Sequence, residues 1–220
     1  MNMFRYGSPM LDFIGKVSDM IVLNLLWVVC SIPIITIGAA TSAKYSIAMR
    51  IIRQEETPVI KPFFKAFADN FKQATVIWVI LMAVIAVCMT DWFWIYQKGF
   101  GNVSVYYVIA IAVLSMFVLG VCMTVFAFIA RFTVTTKEAI KAAVVFSFLH
   151  FIKLFLIAAL EFGTIIASIW YARWLIAVAL FGTTSAFYFN CILLVKEFKK
   201  MEDNLAKNNN TAEEKDETNV

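Results

Sequence analysis

Long runs without a charged residue are the feature that most constrains this chain of 220 residues. No Asp, Glu, Lys or Arg occurs from Met20 to Ala43, or from Gly99 to Ala130. A helix of about 20 apolar residues crosses the roughly 30 Å of bilayer hydrocarbon. Because 62% of the residues are hydrophobic and only 15% are charged, a soluble globule of this size could not bury its apolar surface. The sequence therefore predicts an all-α, multi-pass membrane protein.

The uncharged runs predict a bundle of about five transmembrane helices, which forms one domain over residues 1–198. The predicted spans are 20–43, 74–96, 103–130, 144–170 and 174–195. The first apolar run is longer than the roughly 7–15 residues typical of a signal peptide, so it is expected to stay in the membrane. The polar segment 199–220 is predicted to be a disordered cytoplasmic tail, because it is poor in apolar residues.

Basic residues are distributed unequally among the connections between these spans. Fourteen of the 19 lie in 44–72, in 131–143 or after the fifth span, whereas four lie in the N-terminal segment and the remaining connections. The positive-inside rule therefore predicts an N-terminus outside the cell and a C-terminus in the cytoplasm. Trp and Tyr residues at 92–96, 106–107 and 170–174 fit an interfacial belt on the outer face.

The longest cytoplasmic connection contains a predicted amphipathic helix over residues 61–72. On a helical projection, its lysines share a narrow arc, and its phenylalanines form a separate one. We expect this helix to lie in the headgroup plane of the bilayer, with its phenylalanines, including Phe63, in the acyl region. Lys61, Lys65 and Lys72 would then be directed towards anionic lipid headgroups. A surface for docking a protein partner is the alternative interpretation.

Polar residues recur along one face of the fourth predicted span. His150, Lys153, Glu161 and Thr164 lie on or near this seam, and the fifth span adds Thr183 and Thr184. Ionisable groups at this depth cost about 2.5–3.5 kcal/mol each, so they are candidates for binding a solute or an ion. A purely structural role is the alternative. Lys153 and Glu161 are about 12 Å apart along the helix axis, so each is expected to find its partner on another helix.

Sequence motifs of common enzymes are missing from the chain. It contains no Walker loop, no G-x-S-x-G and no H-E-x-x-H. A single histidine and four dispersed cysteines do not make a usual metal site. We therefore expect no catalytic residue, no metal and no cofactor. The net charge of +4 is explained by loops that face anionic lipid, so nucleic-acid binding is not expected either.

Two blocks in the first third of the chain resemble the YesL family of bacterial membrane proteins, a domain of unknown function. The first block runs from Asn24 to Thr41, and the second from Phe63 to Ala74. The signature residues in these blocks are Asn24, Trp27, Pro33, Thr36, Gly38, Asn70 and Phe71. The resemblance implies a bacterial plasma-membrane protein that accompanies carbohydrate-uptake or polysaccharide-utilisation systems. It implies no catalytic residues.

Part of this signature has a physical interpretation. Pro33 removes a backbone hydrogen bond and should kink the first span, while Thr36 and Ser31 could satisfy the freed carbonyls. Gly38 and the alanines beside it predict close helix packing. The alternative is a broken helix that lines a solute site.

The sequence favours a non-enzymatic accessory or regulatory component of a carbohydrate-uptake system. The expected protein partner is a carbohydrate transporter or a sensor kinase. The lipid bilayer is the other expected partner. The alternative is a small-solute permease or channel subunit that uses the polar seam of the fourth helix.

Overall fold

The computed structural model describes residues 9–53, 55, 58–99, 102–156, 159, 163, 187–188, 190–200 and 203. Every secondary-structure element in these ranges is helical, which confirms the all-α prediction. The elements are α1 (Pro9–Cys30), a 3-10 turn (Ile34–Thr36), α2 (Ile37–Ile52), α3 (Ile60–Lys98), α4 (Val105–Arg131) and α5 (Thr136–Leu149). Residues 151–156 and 190–200 are helical as well.

The first predicted span, 20–43, is not one helix. The chain reverses between α1 and α2, and the two helices pack antiparallel as a hairpin. Lys44 Nζ donates a hydrogen bond to Asn24 Oδ1 at 2.9 Å, and Trp27 Nε1 donates one to Thr41 Oγ1 at 3.0 Å. The prediction of a continuous span was wrong because an uncharged run of this length fits either one crossing or a short apolar hairpin.

Residues 31–36 form the turn of this hairpin. Pro33 has an extended backbone, with φ −74° and ψ 117°. The Thr36 hydroxyl lies 2.6 Å from the carbonyl oxygen of Cys30 and 2.7 Å from that of Pro33, so it satisfies carbonyls freed at the end of α1. This role of Thr36 was predicted. Ser31 Oγ is buried and has no partner among the described residues, so the same prediction for Ser31 was wrong.

Helix α2 is the centre of the fold. It packs against α1, α3 and α4, and 12 of its 16 residues are buried. A Cβ atom on Gly38 would lie 2.6 Å from the carbonyl oxygen of Ala74 and 2.7 Å from Cβ of Trp78. Gly38 therefore permits a backbone approach between α2 and α3 that any other residue would prevent, as the close packing predicted at this position requires.

Helix α3 includes both the predicted amphipathic segment 61–72 and the predicted span 74–96. Its 39 residues form one uninterrupted helix of about 58 Å. The predicted amphipathic segment is therefore not a separate helix, because it continues directly into the apolar part of α3. Phe63, expected to face lipid, is fully buried, and its ring packs against Phe67 with centroids 6.5 Å apart.

Helix α4 runs antiparallel to α3 and closely matches the predicted span 103–130. Gln73 Nε2 donates a hydrogen bond to the Val134 carbonyl at one end, and Trp92 Nε1 donates one to Ser115 Oγ towards the other. We call the first the basic end, defined by Lys61, Lys65 and Arg131. The second is the aromatic end, defined by Trp94 and Tyr107.

Helices α3 and α4 are long and apolar enough to cross a membrane. Many of their apolar side chains are exposed, among them Val87 at 61% and Phe93 at 62%. Large apolar patches are uncommon on the surface of soluble monomers. The length and composition of these two helices therefore fit a membrane protein.

The fourth predicted span, 144–170, overlaps α5, which begins earlier. A capping box starts α5 at Thr135, whose side chain accepts a hydrogen bond from the Glu138 amide while the Glu138 carboxylate accepts one from the Thr135 amide. The helix ends at Leu149, and the C-cap residue His150 has φ −112° and ψ 23°. The greater part of 157–170 lies outside the described residues.

The last described helical segment, 190–200, contains the end of the fifth predicted span. Phe198 is buried, and its ring lies 4.8 Å from that of Phe128 and 5.3 Å from that of Phe132. This packing explains why Lys199 and Lys200 continue the helix instead of beginning the predicted disordered tail. Beyond Lys200, only residue 203 is described.

Candidate functional site

The family signature is concentrated in the α1–α2 hairpin. The contacts of Asn24 and Trp27 join α1 to α2, and Pro33 and Thr36 form part of the turn. Gly38 allows α3 to pack closely against α2. Trp78 adds a further connection, because its Nε1 donates a 2.7 Å hydrogen bond to the Ile34 carbonyl in the turn. The signature residues of the hairpin therefore hold its two helices together. The contacts of Gly38 and Trp78 attach the hairpin to α3.

Lys44 is a buried cation in the hairpin, and it was missed by the sequence analysis. It is 7% exposed, and its Nζ lies 4.7 Å from the ring centroid of Trp27 and 4.0 Å from that of Phe187. Together with the Asn24 side chain, these rings provide a polar and cation–π environment for the ammonium group. Burial of Lys44 could not be predicted from the sequence, because charge counting places a lysine beside an apolar run at the membrane boundary.

A second polar cluster joins the region around His150 to helix 190–200. Glu197 Oε1 accepts a 2.7 Å hydrogen bond from Lys153 Nζ, and Glu197 Oε2 lies 3.4 Å from His150 Nε2. The hydrogen bond from Lys153 is the largest cause that lowers the pKa of the Glu197 carboxyl. Lys153 thus has its partner on another helix, as predicted. Glu197 itself was not singled out, because nothing in its local sequence points to residues 44 positions earlier.

Ser147 and Leu154 lie on the same face of the fourth predicted span as the polar seam, and this face packs against α4. Ser147 Oγ lies 3.1 Å from Thr124 Oγ1, and Thr124 also donates a hydrogen bond to the Gly120 carbonyl. Leu154 is buried, and its Cδ1 lies 3.4 Å from where a Cβ on Gly120 would be. The other seam candidates, Glu161, Thr164, Thr183 and Thr184, lie outside the described residues.

The predicted lipid-facing lysines separate into two groups. Lys61 and Lys65 line a cavity of about 820 Å³ at the basic end, together with the signature residue Asn70. Lys72 is exposed but is not part of this lining. Phe71, also in the signature, is partly exposed, and its ring lies 5.5 Å from that of Phe67.

Residues 20–92 match a family model described as a protein of unknown function, DUF624. The resemblance to the YesL family is consistent with this match. The match confirms the predicted resemblance over these residues, 20–92. The DUF624 segment contains the apolar part of α1, the turn, all of α2 and α3 as far as Trp92. No curated protein and no solved structure matches the chain.

Proposed function

We propose that this protein is a non-enzymatic accessory or regulatory membrane component that serves a carbohydrate-uptake system in the plasma membrane of a bacterium. The observation that carries the proposal is how the polar side chains inside the bundle are used. Asn24 pairs with Lys44, Trp27 with Thr41, and Thr124 with Ser147, and each pair joins two helices. The connection with carbohydrate uptake rests on the family resemblance.

A permease needs polar groups that are available to a passing solute. In each of the three pairs above, the two side chains instead form a hydrogen bond with each other. This arrangement favours a structural or regulatory bundle over a solute path. The competing function is a small-solute permease or channel subunit that uses the seam near His150.

The hairpin also supports a different orientation of the N-terminus from the one predicted. Lys72 is the last charged residue before the apolar part of α3. The turn of the hairpin lies level with Trp78, which is six residues, or about 9 Å, along α3 from Lys72. That distance is less than a third of the roughly 30 Å of hydrocarbon. If α3 and α4 cross the bilayer, the hairpin enters from the basic end without crossing. We therefore propose that the N-terminus is cytoplasmic, with four rather than five crossings.

Single cysteines test this orientation in a background whose native cysteines are replaced by Ala or Ser. With an impermeant thiol reagent on intact cells, Lys98→Cys should be labelled, whereas Lys16→Cys and Arg53→Cys should be labelled only after permeabilisation. Labelling of Lys16→Cys but not Arg53→Cys from outside would restore the five-span prediction.

Affinity purification of the tagged full chain from native membranes tests the function. Recovery of an uptake transporter or a sensor kinase, relative to an unrelated membrane protein with the same tag, is the expected result. Proteoliposomes containing the purified protein alone should show no solute uptake above empty vesicles. Uptake by these proteoliposomes, without a co-purified partner, would overturn the accessory role and favour the permease.

A further inference from the structure

The cavity at the basic end is built from three helices that converge there. Lys61 and Lys65 come from α3, Arg50 from α2, and Arg131 from the last turn of α4. Its volume of about 820 Å³ is within the roughly 300–1,000 Å³ of typical small-molecule sites. We propose that this cavity is a binding site for a phosphate-bearing anion.

The charge of the lining is strongly unbalanced. Asp69 is the one acidic residue among the described residues that line the cavity, against four basic ones. Within the described part of the chain, Arg50, Lys61 and Lys65 form no ion pair, whereas Arg53 pairs with Glu55, and Lys153 with Glu197. Clustered cations repel one another, and a bound anion would offset this repulsion.

Two further features of the lining suit a phosphate group. Asn70 and Gln73 add side-chain amides, and Gln73 is held by its hydrogen bond to the Val134 carbonyl. The cavity also lies beside the first turn of α3, where Lys61 and Pro62 line it and where no acidic residue occurs. The positive end of the α3 dipole therefore has the same sign as the basic side chains.

Two sources could supply the phosphate group, namely a soluble phosphorylated compound or the headgroup of an anionic lipid. Both would be recognised by the same basic side chains. The cavity is distinct from a merely basic surface, because Lys72 lies on the same helix and is exposed but does not line it. Lys72 is therefore the matched control for Lys61 and Lys65.

The test uses the full chain in nanodiscs of phosphatidylcholine, titrated calorimetrically with inorganic pyrophosphate at constant ionic strength. A parallel series compares the melting temperature in nanodiscs with and without phosphatidylglycerol. The variants are Lys61→Gln/Lys65→Gln, Arg50→Gln and Lys72→Gln. Both lysines of the double variant are exposed, and its melting temperature without ligand should equal that of the wild type. Arg50→Gln gives a second measure should the double variant be less stable.

If the site takes soluble phosphate compounds, pyrophosphate binding should weaken about tenfold or more in the double variant and less than about twofold in Lys72→Gln. If it takes a lipid headgroup, phosphatidylglycerol alone should raise the melting temperature, with the same dependence on the variants. Absence of both responses would overturn the proposal. It would also be overturned by binding that survives in the double variant, or by an equal loss in Lys72→Gln.

Discussion

The two ends of the α3–α4 pair are held together in different ways. At the basic end, the hairpin packs against both helices through the glycine contact at Gly38 and the short Trp78 hydrogen bond to Ile34. At the aromatic end, the Trp94 and Tyr107 rings meet edge to face at 5.9 Å, and the Tyr107 hydroxyl lies 3.3 Å from Asp91 Oδ1. The contacts at the basic end are the closer ones, because the Trp78 hydrogen bond is 2.7 Å long and a Cβ on Gly38 would lie 2.6 Å from the α3 backbone, whereas the Tyr107 hydrogen bond is 3.3 Å long. We infer that the basic end determines the fold, while the aromatic end suits a lipid interface.

The largest effect expected from this difference is that of Gly38→Ala. The new methyl group would meet backbone and Cβ atoms of α3 that cannot move aside, so the free energy of unfolding should fall by about 3 kcal/mol. The control is Gly15→Ala in α1, where nothing lies within 4 Å of the added atom. That variant should gain about 0.5–1 kcal/mol from helix propensity. Equal effects of the two variants in detergent unfolding would contradict the close-packing interpretation.

The next effect in size concerns the buried cation. Lys44→Met should lower the free energy of unfolding by about 2 kcal/mol, because the Asn24 side chain loses its donor in a buried position. Asn24→Leu combined with Lys44→Met should recover part of this loss, which a double-mutant cycle measures. Lys98→Met near the aromatic end is the control and should change stability by less than about 0.5 kcal/mol. A double variant as unstable as the sum of its parts would show that the pair is not coupled.

A matched pair of hydrogen-bond deletions compares the two ends directly. Trp78→Phe removes the bond to Ile34 and should cost about 1 kcal/mol. Tyr107→Phe removes the longer, exposed bond to Asp91 and should cost less than about 0.5 kcal/mol. Chemical unfolding of both variants in the same detergent is sufficient. A larger loss for Tyr107→Phe would reverse the comparison.

The smallest effect depends on pH. The pKa of Glu197 is lowered by Lys153, so its contribution to stability is complete above the ordinary carboxyl pKa of 4.5 and is lost as pH falls through the lowered pKa. Lys153 is half exposed, and such pairs contribute about 0.2–1 kcal/mol. Melting temperatures of wild type and Glu197→Gln should therefore converge in acid and separate above pH 4.5. A constant difference across the range would exclude this ion pair as a source of stability.

The sequence predicted the helices whose ends are marked by charge. Helix α4 agrees with the predicted span to within two residues at its start, because Arg131 ends the apolar run and a turn with Gly99 precedes it. The hairpin could not be predicted in the same way. Pro33, Thr36 and Gly38 fit both a kink and a reversal. The contacts of Asn24 with Lys44 and of Trp27 with Thr41 distinguish the two.

Candidate site residues were predictable where the chemistry depends on a local pattern. Lys61 and Lys65 are one helical turn apart, so their common face follows from the sequence. Arg50 and Arg131 complete the cavity from other helices, and no sequence spacing connects them to the lysines. Glu197 was missed for the same reason, since its contact with Lys153 depends on how two distant helices pack.

The uninterrupted length of α3 has a mechanical consequence. A helix of 39 residues with an intact hydrogen-bond ladder behaves as a stiff rod of about 58 Å. A tilt of about 10° at one end would displace the opposite end by about 10 Å. We infer that a force on Lys61 and Lys65 that tilts α3 would also displace Asp91 and Trp94, which lie near the opposite end of the same helix.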